Sequence, residues 1–407
     1  MRRPVFLTVF ILVLICAAQA KELKRDPDTG TIRVLYIGAP FMTSPYQTFK
    51  MDPLLSTTPI QANQYALPLS WIKKAMRVYM PRTRESMVSK YDVIGIDDAS
   101  WACFRFDLIR WMADACREDA MGMFMAGGYE SFGGNVGFPS WGDTTLSEVM
   151  PVECLREYRG GANYVDDFED EFIRSIPWDT YHNHRLFCGY NVLLTRQGAH
   201  ELSHMVSSTP GVVGREDPCW VWWDIGNGRF FASAGGFRGV SGWCQFYNWK
   251  YYSDFVCNLQ YFLAGLTPPT DLELMHNTRS AFKDVYNQRL ILMSTLDFIS
   301  KFNADTRKAD LKIQEALESL NKARDHFVDL ELAESRELAE TSYDQFEEAY
   351  GLALEAKNAA IFWIFVTEWL VVSATSMICA FAIWTLMIRR RLYREVQVTR
   401  GGRRIVQ

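Results

Sequence analysis

Met121-Gly-Met-Phe-Met-Ala-Gly-Gly-Tyr-Glu-Ser-Phe-Gly-Gly134 reads as a short apolar strand running straight into a glycine-rich turn. Apolar residues at consecutive rather than alternate positions are buried on both faces, as in a parallel sheet covered by helices. Two upstream runs share this form: Ile32–Ile37, ending in Gly38-Ala39-Pro40, and Tyr91–Ile96, ending in Asp97-Asp98. Downstream, Leu186–Leu194, Trp220–Ile225 and Arg229–Ala234 are strand-like, while Ser70–Tyr79 and Cys103–Cys116 have helical spacing. The order predicts an α/β head over residues 21–270 with a doubly wound, mostly parallel sheet.

Ligands of such sheets lie beyond the carboxyl ends of the strands. The candidate binding residues are therefore Asp97 and Asp98 after one strand, and Gly127, Gly128, Tyr129, Glu130 and Ser131 after the next. The glycines let the backbone turn and approach a ligand closely; a turn kept only for the fold is the alternative. Glu130, Ser131 and Asp97 are the candidates for catalysis, although a serine beside carboxylates without a base is weak evidence for hydrolysis. Adjacent aspartates more often cap a helix or sit in water. His182-Asn-His184 has the alternate spacing of a metal-binding strand, yet two ligands do not make a metal site. No cofactor or metal is expected.

The strand and turn quoted above, with Trp141 and Leu146-Ser-Glu-Val-Met-Pro-Val-Glu153, resemble the glutamine amidotransferase-like family of the class I glutamine amidotransferase-like superfamily. Tyr91-Asp-Val-Ile-Gly-Ile-Asp-Asp98 and Gly226-Asn-Gly-Arg-Phe-Phe-Ala-Ser-Ala234 are similar to it as well. The resemblance covers residues 31–266 and implies a flavodoxin-like sheet, with a cysteine nucleophile on the turn after the third strand and a histidine downstream. Here the nucleophile position falls on Tyr129, and Gly235-Gly-Phe-Arg-Gly-Val-Ser-Gly-Trp243 contains no histidine. A phenol with its ordinary pKa near 10 is a poor nucleophile at neutral pH. The resemblance thus implies a pseudoenzyme without glutaminase activity.

The flanks place the head. Arg2-Arg3, the apolar run Val5–Cys16 and Ala18-Gln19-Ala20 form the pattern of a secretory signal peptide over residues 1–20, with an uncleaved signal anchor as the alternative. Trp369–Ile388 is twenty residues without a charge, long enough at 1.5 Å per residue to span roughly 30 Å of hydrocarbon. Arg389-Arg390-Arg391 follow at once, with Arg394, Arg400, Arg403 and Arg404 beyond. Such a cluster stays cytoplasmic by the positive-inside rule. The expectation is a single-pass protein of a prokaryotic cell membrane. Residues 359–388 hold the transmembrane helix and its flank, residues 389–407 a basic cytoplasmic tail, and the N-terminal domain lies outside.

Between head and span, residues 271–350 contain no Gly and no Pro, which predicts a helical neck over 271–358. Its apolar residues recur at three and four, including Phe282, Val285, Leu292 and Ile299, then Ile313, Leu317 and Leu320. Each stripe requires a partner helix. An antiparallel hairpin or small bundle fits, as does a coiled coil between chains. Arg324 and Ser335 near seam positions favour packing within one chain, and Asn303–Thr306 is the expected break.

Nine cysteines leave seven outside the signal peptide and span, with no CxxC pair, so the spacing names no disulfide. The formal net charge of −5 gives no basic stripe for nucleic acid. The aromatics Trp220, Trp222, Trp223, Trp243, Phe246, Tyr247, Trp249, Tyr251 and Tyr252 cluster near the end of the head, either as core or as a platform for sugar rings or a protein. The function expected from all this is a membrane-anchored, non-catalytic head that binds a small ligand or an envelope protein partner. An enzyme of hydrolytic type at the Tyr129 turn, or a structural component assembling as a homo-oligomer through residues 271–358, are the alternatives. The lipid bilayer is the partner expected for Trp369–Ile388.

Overall fold

The structure, a computed structural model, describes residues 24–40, 43–135, 137–238, 245–267, 271–302 and 304–401, with side chains to Arg394. The expected signal peptide lies outside these residues, as do Trp243, Cys244, Asn303, Arg403 and Arg404. The chain divides into two compact units: Met1–Lys283 with Lys322–Glu337, and Asp284–Asn321 with Leu338–Gln407.

In the first unit the apolar runs become strands close to where the sequence puts them: β1 (Ile32–Gly38), β3 (Val93–Asp97) and β4 (Gly122–Ala126). All five residues of β3 and of β4 are buried, which is why neither alternates. The later runs are β6 (Phe187–Thr195), β8 (Glu216–Ile225) and β9 (Gly228–Ser233). Three strands were not anticipated: β2 (Leu55–Gln61), β5 (Val152–Val165) and β7 (His200–Ser207). The nine form one sheet in the order β2-β1-β3-β4-β9-β8-β7-β5-β6.

The sheet corrects the expected topology. β2, β1, β3, β4 and β9 are parallel. From β9 onward every pairing is antiparallel, through β8, β7 and β5 to β6. The first unit is therefore half α/β and half antiparallel sheet, not a doubly wound parallel sheet. The antiparallel strands carry polar residues on a half-exposed face, so their apolar signal is weak.

The helices of this unit are α1 (Pro45–Phe49), α2 (Leu69–Tyr79), α3 (Arg84–Lys90), α4 (Phe106–Glu118) and α5 (Tyr252–Leu263). α5 is buried along its whole length, apart from Ser253, and lies so close to β4 that a Cβ on Gly122 would come within 2.5 Å of the Leu263 carbonyl oxygen. The late aromatics are mostly core: Trp220 meets Phe255 at 4.7 Å and Trp249 stacks on Trp178 at 5.3 Å.

The helical region forms α6 (Leu272–Ser300), α7 (Arg307–Val328) and α8 (Leu332–Gly401). The break after Ser300 falls where Asn303–Thr306 predicted it, with Asp305 Oδ1 accepting the Arg307 amide at 3.2 Å. A second break, not foreseen, turns on Leu330 at φ +62°. Both units show α7 and α8 packing antiparallel within the chain. In the first, Ser335 Oγ donates to the Ala323 carbonyl at 2.8 Å. In the second, Ser342 Oγ donates to the Ala316 carbonyl at 2.8 Å, and Lys312 reaches Glu348 at 2.7 Å. The serine at the seam is thus a small, satisfied polar residue where two helices approach closely.

Within the first unit, the start of α6 is tied to the head by a buried ionic network. Arg279 donates to Asp52 at 2.9 Å, to Asp254 at 2.8 Å and to Asn258 at 2.7 Å. His276 Nδ1 lies 2.7 Å from Asp254, and Tyr261 donates to Asp52 at 2.7 Å. Every carboxylate in the set has a cation and a second polar partner, which is what allows charges to sit this deep.

α8 runs unbroken into the apolar stretch, and its 63 residues Leu332–Arg394 include a segment long and apolar enough to cross a membrane. None of that segment is buried in the chain.

Candidate functional site

β3 and β4 end side by side, Asp97 in register with Ala126. The chain after each turns sharply. Asp98 adopts φ +51°, a left-handed conformation that Asp tolerates better than most side chains. Gly127 and Gly128 follow β4. A Cβ on Gly127 would stand 1.9 Å from the Ala234 carbonyl oxygen, and one on Gly128 2.2 Å from Asp98 Cγ. Glycine is required here for close approach, as the turn suggested.

Beyond the strand ends opens a cleft of about 450 Å³. Asp98, Gly127, Gly128 and Tyr129 line one side. The opposite wall comes from the antiparallel half of the sheet, with Tyr158, Gly160 and Ser208 and, from β6, Phe187, Cys188 and Gly189. Gly236 and Arg238, on the segment after β9, complete it.

The polar groups form a layered network. Arg238 bonds Asp98 Oδ2 and lies 3.8 Å from Asp97 Oδ1. Asp98 also accepts the Glu130 amide at 2.8 Å and the Asn63 side-chain amide at 3.2 Å. Tyr36 donates its hydroxyl to Asp97. Burial raises the Asp97 carboxyl to about 6 despite the opposing pull of Arg238. Burial likewise raises Glu130 to about 7, with the amide of Gln64 opposing and Asp98 adding to the rise. Arg238 is pushed above its ordinary value, because the two aspartates outweigh its desolvation.

Of the seven residues singled out from the sequence, Asp98, Gly127, Gly128 and Tyr129 line the cleft. Asp97 lies behind them, fully buried. Glu130 points away and is clamped by Gln64, whose amide reaches Oε1 at 2.7 Å and whose side chain reaches Oε2 at 3.1 Å. Ser131 donates its hydroxyl to the Ala126 carbonyl at 2.7 Å, and its own carbonyl accepts from Asn191 at 3.2 Å. The aspartate pair is neither a helix cap nor solvated, as expected of adjacent aspartates, but an ion-paired wall.

Sequence reasoning missed Arg238, Tyr158 and the Asn63-Gln64 pair. Arg238 sits in the glycine-rich segment after β9, which is informative only once its register with the aspartates is known. Tyr158 is delivered by β5, an unforeseen strand. Tyr129 is 41% exposed, and its ring lies 5.0 Å from Tyr158 and 5.6 Å from Tyr65. Tyr65 in turn meets Phe138 at 5.7 Å, so a line of aromatic rings leads from the cleft to the surface.

The cysteines and histidines offer little chemistry. No two described cysteines form a disulfide. Burial pushes the thiols of Cys103, Cys154 and Cys219 up to about 12, the direction opposite to an activated nucleophile. His182 lies on a single helical turn, Tyr181–Asn183, with His184 just after it; neither is on a strand. Among the described residues there is no group of three or more His, Cys, Asp or Glu placed to hold a metal.

No protein-family model matches the chain, and no curated protein sequence matches it. Among solved structures, two cytoplasmic proteins of Salmonella typhimurium match at 20% and 18% identity. Each match covers 57% of this chain and 99% of the other, with TM-scores of 0.44 and 0.45. A carbohydrate deacetylase matches at 10% identity, over 58% of this chain and 32% of its own, with a TM-score of 0.33. At these scores no function passes across. The resemblance to the glutamine amidotransferase-like family does not stand. No model of that family matches, and the nine-stranded mixed sheet is not the flavodoxin-like sheet the resemblance implies. The glycine turn arises instead from close packing of Gly127 and Gly128 against Ala234 and Asp98.

Proposed function

We propose that this protein is a membrane-anchored binding protein whose head takes a small, ring-bearing polyhydroxylated ligand, a sugar unit, in the cleft beside Tyr129. The observation that carries the reading is the cleft's combination of surfaces. Tyr129, Tyr158 and Phe187 provide flat apolar faces, and Asp98, Arg238 and Ser208 provide hydrogen-bonding groups. Sugar rings use both at once, stacking their C–H faces on aromatic rings while their hydroxyls bond to fixed polar side chains. Binding rather than turnover fits the rest. The Ser131 hydroxyl is engaged with a backbone carbonyl, Glu130 is turned from the cleft, and Asp98 is held by Arg238.

The head lies on the outer face and α8 crosses the bilayer. What supports this is the uncharged stretch Trp369–Ile388 followed immediately by three arginines.

Full-length protein in a neutral detergent, titrated with hexoses, N-acetylhexosamines and their disaccharides under saturation-transfer NMR, tests the binding. At least one should give transfer that disappears in Tyr129→Ala and in Arg238→Gln. Absence of transfer from every sugar, or transfer unchanged in both variants, overturns the reading. For orientation, protease added to intact cells should remove the head and spare an epitope appended after Gln407.

A further inference from the structure

We infer a second binding site, separate from the cleft, for an amphipathic phosphomonoester: a doubly charged phosphate carried on a compact apolar body. It lies in a groove of about 200 Å³ formed by α2, the Pro81 turn that follows it, and the start of α4.

Four cations rim the groove, Lys73 and Arg77 from α2, Arg82 from the turn and Arg105 beside α4. No carboxylate is among its lining residues. Lys73, Arg77 and Arg82 form no ion pair among the described residues, whereas Arg105 is held by Asp107 at 2.8 Å. Three cations are thus left on one groove in a chain whose net charge is −5. Several other arginines of this head do have carboxylate partners, among them Arg33 with Asp92, Arg84 with Asp119 and Arg159 with Asp217. Mutually repelling charges without local partners are the arrangement an anion relieves. Two guanidinium groups also offer the forked donors that match phosphate oxygens.

The floor narrows the ligand class. Met76, Met80, Phe104 and Leu108 lie beneath the cations and are buried or nearly so. Methionines make a deformable apolar surface that adapts to an aromatic or short aliphatic group. Inorganic phosphate would use the rim alone; an apolar phosphomonoester uses rim and floor.

The test uses the full chain in a neutral detergent, with calorimetric titration by phenyl phosphate, inorganic phosphate, benzyl alcohol and dihexanoyl phosphatidic acid below its micellar concentration. Phenyl phosphate or the phosphatidic acid should bind, more tightly than inorganic phosphate, with benzyl alcohol inert. A preference between the first two identifies the source as a soluble metabolite or a lipid headgroup. Arg77→Gln and Arg82→Gln should each weaken binding about tenfold or more, the effect of losing one charge-assisted contact. Arg77→Lys should restore part of the loss, and raising the salt should weaken binding throughout. Tyr129→Ala should leave it unchanged, which separates this site from the sugar cleft. Since Arg77 and Arg82 are surface side chains, unfolding curves of the variants should overlay the parent. No binding by either organic phosphate overturns the inference, as does binding that is equal in both glutamine variants or equal for benzyl alcohol.

Discussion

Arg238 holds two carboxylates that would otherwise stand uncompensated behind the cleft. Replacing it with methionine leaves Asp98 with only amide donors and Asp97 with only the Tyr36 hydroxyl. Removing one partner of a buried ion pair costs about 3–5 kcal/mol, because the remaining charge has no water to return to. Arg238 keeps some exposure, so the lower end of that range is expected. The loss depends on pH. Arg238 stabilises the aspartates only while they are ionised, so the difference between parent and variant should grow as pH rises through about 6, the value for Asp97. Denaturant unfolding at pH 5 and pH 8 measures it; an equal loss at both would show that the pairing with Asp97 contributes nothing to it.

Glu130 behaves in the opposite sense. Its carboxyl rises from 4.5 to about 7 on folding, so the native state holds a proton that the unfolded chain has released across that window. By linkage, its contribution to stability is complete below pH 4.5 and falls as pH rises towards 7. Glu130→Gln keeps an acceptor for the Gln64 amide and removes the titration. The pH dependence of the melting temperature between 4.5 and 7 should therefore be shallower in the variant than in the parent. Neither residue's environment could be read from sequence. Asp97, Asp98 and Glu130 were visible as chemistry-bearing side chains at strand ends, but their partners Tyr36, Asn63, Gln64 and Arg238 lie 35 to 141 positions away by numbering, on segments that are unremarkable alone.

At the scale of elements, legibility followed burial. β1, β3 and β4 are covered on both faces, so their sequences are apolar throughout and announce themselves. β5 and β7 have an exposed face, and β2 carries Pro59 at the edge of the sheet, as edge strands tolerate. Their composition resembles loop. The mixed topology followed from those omissions, and with it the second wall of the cleft. The turn after β4 was legible for a different reason: two successive glycines at a strand end signal a backbone that something else approaches. That closeness makes a prediction. Gly127→Ala would set a methyl 1.9 Å from the Ala234 carbonyl oxygen, a clash with backbone that no side-chain rotation relieves. Forcing such an insertion costs roughly 3 kcal/mol, at the upper end for overpacking, and it should separate β4 from the segment that carries Arg238. The expected result is a melting temperature lower by several degrees together with loss of sugar binding. Gly351→Ala, where a Cβ would meet nothing within 4 Å and the backbone is helical, makes the comparison for a glycine whose surroundings are open.

For the whole molecule, the decisive feature is the apolar surface of α8. Trp369, Leu370, Val371, Val372, Met377 and Ile378 are all more than half exposed, and exposed apolar side chains continue around the helix rather than along one stripe. A surface helix of a water-soluble protein has a polar face; one that is apolar all round is solvated by lipid or buried by other protein. None of the apolar segment is covered within the chain, and the uncharged stretch has the length of the hydrocarbon layer. Full-length protein should therefore stay in the membrane fraction after extraction at alkaline pH, whereas a chain stopped after Asn358 should be released entirely. The cut falls within α8 but leaves Ser342 and Glu348, whose contacts with Ala316 and Lys312 fasten its beginning to α7, so the truncated protein should melt at the same temperature as the parent. Changing Arg389, Arg390 and Arg391 together to glutamate should leave membrane retention intact and reduce the fraction of molecules with an external head, because the arginines set direction and the apolar stretch sets insertion. If alkaline extraction releases the full-length chain, the exposed apolar surface must be covered by other protein instead, and the mass of the released particle would identify how many copies do so.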